Sequence, residues 1–423
     1  MFSTLRNHSK IIVIIVAVAF AATGALMGFG SYLTNGGGNK NQQQQQQNQN
    51  IATVNDEDIS QREFLNVLQS QASQTADLGS SQLLDFRLNI LNSLIEQKLI
   101  LQEADKMDIS GEASETEVEE SVDEILDNYD MTEEELVSNI ESQGYNMEEF
   151  KNDIRNDLKQ RDIIEKTRET TYDNIEVTED EIRDEYEEAK EEGEEDREFN
   201  EAQSDIEQNL INQKQEEAFN NWIEDVRSEA NITINDPVLD GVNAYNEEQY
   251  DVAIEAFNEI IENNESPGAG SYIYLARSYE KEGNEEKAIE IYDQAREEYS
   301  EDWDLYVNLG DLYSNMDDNE QAIEQYDKAS ELVSGNYMGH YQLYMGYSET
   351  GAEEKAEEQM QKVQEISMQQ MNQGQEGQEQ QSEESEEMES ELEEEDIEDI
   401  EDMEPDTDSE IETERGSSES ESN

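Results

Sequence analysis

Hydrophobic and polar positions change character several times along the chain. Ile11 to Gly30 runs for 20 residues without a charge, and Asn35 to Asn50 is Gly, Asn and Gln apart from Lys40, including six consecutive glutamines. Ile51-Ala52-Thr53-Val54 then meets Asn55-Asp56, which predicts a short strand entering a turn. Beyond it, apolar residues recur at helical spacing. Ser60, with Glu63 in the capping-box position, opens a face of Phe64, Leu65 and Leu68. The strongest helix is expected over Ser81 to Lys106. Leu84, Leu88, Leu91, Ile95 and Leu99 form its stripe, and Leu94, Ile100 and Leu101 broaden it. A stripe that wide predicts burial on more than one side, as in a central helix. Further helices are predicted after Ser114 (Val118, Val122, Ile125, Leu126) and Thr132 (Leu136, Ile140, stopped by Gly144). Others are predicted from Met147 to about Thr171 (Phe150, Ile154, Leu158, Ile163, Ile164) and after Thr178 (Ile182, Tyr186).

From Leu239 the pattern becomes periodic. Ala253, Ala288, Ala322 and Ala356 lie 35, 34 and 34 residues apart. Four residues after each stands Phe257, Tyr292, Tyr326 or Met360, and seven after stands Ile260, Ala295, Ala329 or Val363. Twelve before each stands Gly241, Ala276, Gly310 or Tyr344. Such a period is the signature of stacked helix–turn–helix repeats, in which small residues let two helices approach and rings fill the gap between repeats. With Leu275, Leu309 and Leu343 before the small-residue position, the pattern closely resembles the tetratricopeptide repeat. That resemblance assigns structural roles to Gly241, Ala253, Phe257, Ala276, Ala288, Tyr292, Gly310, Ala322, Tyr326 and Ala356. It also implies a concave protein-binding groove lined by Ile273, Arg277, Val307, Asp311, Tyr341 and Met345. The usual repeat-end proline is missing. The last repeat is degenerate and reads as a cap, so His340 is expected to be packed or partly exposed rather than a ligand.

The middle of the chain carries a second resemblance. Val54-Asn55, Ile59-Ser60, Phe64 and the run Leu91 to Ala104 resemble the N-terminal chaperone domain of the SurA, PpiD and PrsA group. Met147 to Arg155 and Val177 to Tyr186 agree with it, and so do Ile206 to Leu210, Gln213 to Phe219, Trp222-Ile223 and Ile232-Thr233-Ile234. The resemblance implies an apolar cleft for unfolded segments, closed by pairing Ile232 to Ile234 with Ala52 to Val54. In that family a parvulin-type isomerase domain usually interrupts the chaperone domain. Here only a Glu-rich connection with Glu191, Glu192 and Glu194 separates Tyr186 from Phe199, far short of the roughly 50 residues a domain needs.

Charge narrows the partners. Acidic residues number 110 against 26 basic ones, a net charge of −84, which argues against nucleic acid and against electrostatic docking on anionic lipid. Two readings fit this acid: a solvated, soluble surface, or a halophilic protein whose self-repulsion is screened by high salt. There is no cysteine and only His8 and His340, so thiol chemistry is excluded and imidazole chemistry nearly so. No catalytic constellation, cofactor loop or metal-binding spacing appears; no enzyme activity, cofactor or metal is expected.

The expected chain is therefore mainly α. Residues 1–10 carry Arg6, His8 and Lys10 and read as a cytoplasmic N-terminus, and 11–30 as a transmembrane anchor whose rival is a cleaved signal peptide. Residues 31–50 are a linker, and 51–236 a SurA N-terminal-like domain with a two-stranded closure. Residues 237–367 form an α-solenoid of about four repeats. Residues 368–423 form a disordered acidic tail, solubilising or a lure for cations or basic partners; Met388, Ile397, Ile400 and Met403 could dock weakly. The function this suggests is a single-pass, extracytoplasmic, non-catalytic chaperone or assembly factor for unfolded or exported polypeptides. The alternatives are an envelope-complex scaffold and, less directly, a peptidyl-prolyl isomerase.

Overall fold

The computed structural model describes residues 50–369, apart from 73–74, 76, 130, 143–145, 173–174, 192, 194–196 and 264–266. The predicted anchor, linker and nearly all of the predicted tail lie outside the described residues, as do Gly144, Glu192 and Glu194. Among the described residues no helix is long and apolar enough to cross a membrane.

The described chain is mainly helical, with one small sheet. Strand β1 (Asn50–Val54) turns through Asn55 and Asp56 into β2 (Glu57–Ser60). Both turn residues have positive φ, 49° and 70°, the conformation that a two-residue hairpin of the primed type requires and that Asn and Asp tolerate. Strand β3 (Ile232–Ile234) returns antiparallel to β1, pairing Ala52 with Ile234 and Val54 with Ile232, as the resemblance implied. The closure is three-stranded rather than two-stranded, in the order β2-β1-β3. The missed strand is Glu57–Ser60, whose polar start hides its one buried residue, Ile59.

Seven helices complete this half: α1 (Gln61–Ser70), α2 (Ser80–Lys106), α3 (Glu115–Asn128), α4 (Glu133–Ser142), α5 (Met147–Thr170), α6 (Glu179–Glu191) and α7 (Phe199–Glu229). Their starts are sequence-encoded. Ser60 accepts from the Glu63 amide, Ser114 and Glu117 form a reciprocal box, and Thr132 with Glu135 and Thr178 with Glu181 do the same. Helices α3, α4 and α5 enclose a small core of Val118, Val122, Ile125, Leu136, Ile140, Phe150 and Ile154. Helices α6 and α7 form a hairpin around Ile182, Tyr186, Ala202 and Ile206, its mouth closed by Tyr186 edge-on to Phe199 at 5.3 Å.

The repeats follow as α8 (Pro237–Asn246), α9 (Tyr250–Asn263), α10 (Ala269–Lys281), α11 (Glu285–Glu298), α12 (Trp303–Asn315), α13 (Asn319–Leu332), α14 (Tyr337–Glu349) and α15 (353–369). They do not form a separate core. One buried cluster holds Ala52, Val54, Ile59 and Phe64, the α2 stripe from Leu84 to Ile100, and Leu239, Phe257, Ile273, Tyr274, Tyr292 and Leu309 of the repeats. A second joins repeats three and four through Tyr306, Val307, Tyr326, Leu343 and Tyr347.

Asp157, partly buried on α5, is pushed up to about 6 by desolvation, with Arg161 opposing and Asp153 adding to the rise. A carboxyl raised in the folded state is a liability when ionised. Asp157→Asn is therefore expected to stabilise the chain by roughly 1 kcal/mol at neutral pH, well below the full linkage value because water still reaches the site. The gain should be full above about pH 6 and vanish on the way down to the ordinary carboxylate range. Urea midpoints measured across that interval check it.

Candidate functional site: the concave face of the repeats

The first helix of each repeat, α8, α10, α12 and α14, presents its outer face to a shared concavity. Most of that concavity is already filled. The N-terminal half of α2 lies across α8, α10 and α12, so the central helix of the preceding domain is also the occupant of the groove. Two features of sequence permit this. Gly270 lets α2 close in: a methyl group there would strike the Ser80 carbonyl and the Leu84 side chain. Gly79, ahead of α2, leaves room for Asp304, which a side chain would meet.

A helix N-terminus brought into protein exposes amides that need acceptors. Asp302 and Asp304 of the third repeat supply them. Asp304 Oδ2 accepts from the Ser81 amide and from the Ser81 hydroxyl, both at 2.7 Å, while Oδ1 accepts from Asn308 at 2.9 Å. Ser80 donates to Asp302. Ser81 and Asp304 are both buried, 0% and 1% exposed, which only this pairing makes tolerable. Farther along, Tyr274 donates its hydroxyl to Asp85, and Arg87 reaches Asp236, the N-cap of α8, at 3.4 Å. Burial of the Tyr274 ring, with Asp85 beside it, pushes its hydroxyl well up.

Within the repeats, the large residue that follows each ladder alanine stands fifteen residues after a groove position, and the two change character along the array. They are Val242 and Phe257, Arg277 and Tyr292, Asp311 and Tyr326, and Met345 and Met360. Tyr326 donates to Asp311 at 2.8 Å. Tyr292 has no carboxylate at that position, because Arg277 turns to Asn308 of the next helix at 2.8 Å, and its buried hydroxyl has no hydrogen-bond partner among the described residues. Asp311 keeps contact with water on the groove wall but is crowded on its other sides. That crowding pushes its carboxyl up to about 6, against the Tyr326 hydrogen bond and Arg277, with Glu349 and Asp304 adding to the rise.

The expected groove residues divide accordingly. Ile273 is fully buried in the core shared with α2, and Val307 is buried in the core of repeats three and four; neither presents side-chain surface. Arg277 is partly covered. Asp311, Tyr341 and Met345 are exposed, the last two at 40% and 43%. The ten residues assigned structural roles from the repeat pattern are all buried. His340 is also buried, Nδ1 lying 2.7 Å from Gln359 Oε1, and burial pulls its pKa down. Missed at the sequence level were Ser81, Asp302 and Asp304. Their signal was slight: Asp302, immediately ahead of Trp303, reads as an ordinary N-cap. Among the described residues no group of acids and histidines is placed to hold a metal ion.

Comparison with known proteins agrees with both halves. Residues 1–164 match the SurA-like N-terminal domain, and residues 271–302 and 304–332 match two tetratricopeptide-repeat families. The chain joins a SurA-like N-terminal domain to tetratricopeptide repeats. No parvulin-type isomerase domain is matched. No curated protein matches the chain. Among solved structures, a crystal structure of MamA is 21% identical over 31% of this chain and 77% of its own, with a TM-score of 0.27. A second, titled MamA AMB-1, is 16% identical over 31% of this chain and 74% of its own, with a TM-score of 0.25.

If α2 welds the SurA-like domain to the repeats, the two halves unfold together. The only tryptophans report on each: Trp222 on α7 and Trp303 on α12. Single-tryptophan variants, Trp303→Phe and Trp222→Phe, should show coincident urea transitions. Gly270→Val, which wedges α2 outward, should lower both by roughly 1–3 kcal/mol. Separate transitions would mean that the halves are only tethered.

Proposed function

We propose that the protein is a membrane-anchored, extracytoplasmic, non-catalytic chaperone or assembly factor, holding unfolded or exported polypeptides while its repeats recruit a protein partner. The observation that carries this reading is the α6–α7 hairpin. Strands on either side of it, β1 and β3, pair with each other, and α6 gives way to α7 between Glu191 and Phe199, leaving no room for an isomerase domain. What such a domain retains is surface for binding. Leu65, Leu83, Met107 and Tyr129 are exposed apolar side chains on this half, between 37% and 47% accessible. The uncharged run 11–30, flanked by Arg6 and Lys10, supports the anchor and the external placement of the remainder.

A second reading, a scaffold of an envelope complex, is favoured by one specific feature. The repeats are locked against the SurA-like domain by α2, which suits a rigid spacer. Client aggregation separates the two. The full-length chain in detergent micelles is expected to suppress light scattering of a guanidinium-unfolded client at equimolar ratio. No suppression at several-fold excess would sink the chaperone reading and leave the scaffold.

The acid surface supports a protein that works in concentrated salt. Screening shortens from about 10 Å at 0.1 M to about 3 Å at 1 M. The thermal midpoint of the full-length chain should then rise by several degrees between these concentrations of NaCl. An unchanged midpoint would leave the charge as a solubilising surface.

A further inference from the structure

Helix α2 covers the groove over repeats one to three and stops at α12, where its N-terminus is capped by Asp302 and Asp304. Beyond that point the concave face is open. Met338, Tyr341 and Met345 stand three and four residues apart on α14, one stripe along a single face, and the latter two are among the exposed large apolar side chains of the chain. The two exposed side chains, with half-buried Met338 beside them on the same helical face, form an apolar strip, in which the Tyr341 ring lies 6.1 Å from that of Tyr344. The charged residues of α12 and α14 are all acidic. Asp311, exposed on α12, holds the repeat position that Met345 holds on α14, and Glu349, exposed at the end of α14, is close enough to Asp311 to act on it. Neither α12 nor α14 contains Lys or Arg. Arg277, the cation of the neighbouring repeat, is engaged with Asn308 and lies over the Tyr274 ring.

We propose that this open end of the groove, between α12 and α14, docks a short segment of a partner protein carrying lysine or arginine beside an apolar side chain. This rests on the reading of the repeats as partner-binding. The occupied part of the groove shows the kind of object it accepts: α2 enters as polypeptide, its apolar side chains on the groove floor and its donors on repeat carboxylates. At the open end the same division recurs, with the thioether and phenol side chains as floor and Asp311 and Glu349 as acceptors. Charge decides among occupants. The chain's own residues 370–423 are strongly acidic and would meet carboxylates with carboxylates. A second copy, with a net charge of −84, is disfavoured in the same way. A basic, apolar segment is complementary on both counts. The space left after α2 is one repeat wide, which limits the segment to a few residues and not a long helix.

Fluorescence anisotropy of the full-length chain in detergent micelles tests this, in 0.5 M NaCl to suppress diffuse attraction to the acid surface. The probe is a labelled nonapeptide, Gly-Ser-Lys-Leu-Lys-Leu-Gly-Ser-Gly. Binding is expected, with a loss of about tenfold or more in the Tyr341→Ser/Met345→Ser double variant, whose two sites are exposed. Glu349→Lys, also exposed, should cost several-fold, and the peptide with glutamate in place of lysine should not bind. Equal binding by wild type and the double variant, or by the lysine and glutamate peptides, overturns the proposal. So does a photo-crosslinking residue at Tyr341 that captures residues 370–423 or a second copy instead of the peptide. Client aggregation by the same wild-type preparation is read separately. Failure there removes the chaperone reading and leaves the docking site standing.

Discussion

Helix α2 is buried twice, and the architecture follows from that. A helix on the surface of a small domain needs one apolar face. This one carries Leu84, Leu88, Ile90, Leu91, Leu94, Ile95, Leu99 and Ile100 in the same core, which leaves no broad polar side along most of its length. Fully burying a large aliphatic side chain contributes about 1.5–3 kcal/mol, so eight of them outweigh any single polar contact at the interface. The buried Ser81–Asp304 pairing has a different role. Charged hydrogen bonds contribute about 1.5–3 kcal/mol each, but removing a carboxylate from water costs several. The two nearly cancel. What the pairing supplies is register: α2 satisfies Asp304 only when its first turn stands against the start of α12, and a slide by one helical turn would leave both the carboxylate and the Ser81 amide unpaired in the interior.

The residues at the groove position and fifteen after it differ from repeat to repeat. In repeat one they are Val242 and Phe257, both fully buried and wholly apolar. In repeats two and three the ring carries a hydroxyl: that of Tyr292 is buried near Arg277, and that of Tyr326 donates to Asp311. In repeat four both positions are methionine, and the groove side of the pair, Met345, faces solvent. The first helices of repeats one to three meet α2 and that of repeat four does not, which a repeat count alone does not convey.

Much of this was legible in the residues. The alanine ladder located every repeat, because small residues at fixed spacing are demanded by helix–helix approach within each repeat. The capping boxes at Ser114, Thr132 and Thr178 placed helix starts to within a residue, because those side chains act on their own backbone. The breadth of the α2 stripe announced burial on more than one side. What it could not announce was the second partner. Leu84 looks the same whether it meets Phe64 of its own domain or Gly270 of the repeats, and Gly270 reads as a loop-proximal glycine until something presses on it. Ile273 was expected on an open groove for the same reason, since the repeat pattern specifies which way a side chain points and not whether another helix is already there, while Val307 is taken up by the core of repeats three and four. Strand β2 was hidden because one buried residue in four is too short a signal for alternation.

The acid of the surface bears on how such an assembly stays specific. At a net charge of −84, any basic segment is attracted from a distance, and attraction alone discriminates poorly among basic partners. Discrimination requires a short-range element that salt does not erase. The proposed docking site supplies it through Met338, Tyr341 and Met345 on α14 together with Asp311 and Glu349: apolar contact survives screening, while the carboxylates reward only a cation placed within hydrogen-bond reach. If the chain works in concentrated salt, the long-range field is largely removed and this local arrangement is what remains to choose a partner. The concentration of exposed thioether and phenol side chains in the one repeat that α2 does not reach is then the counterpart of the acid everywhere else.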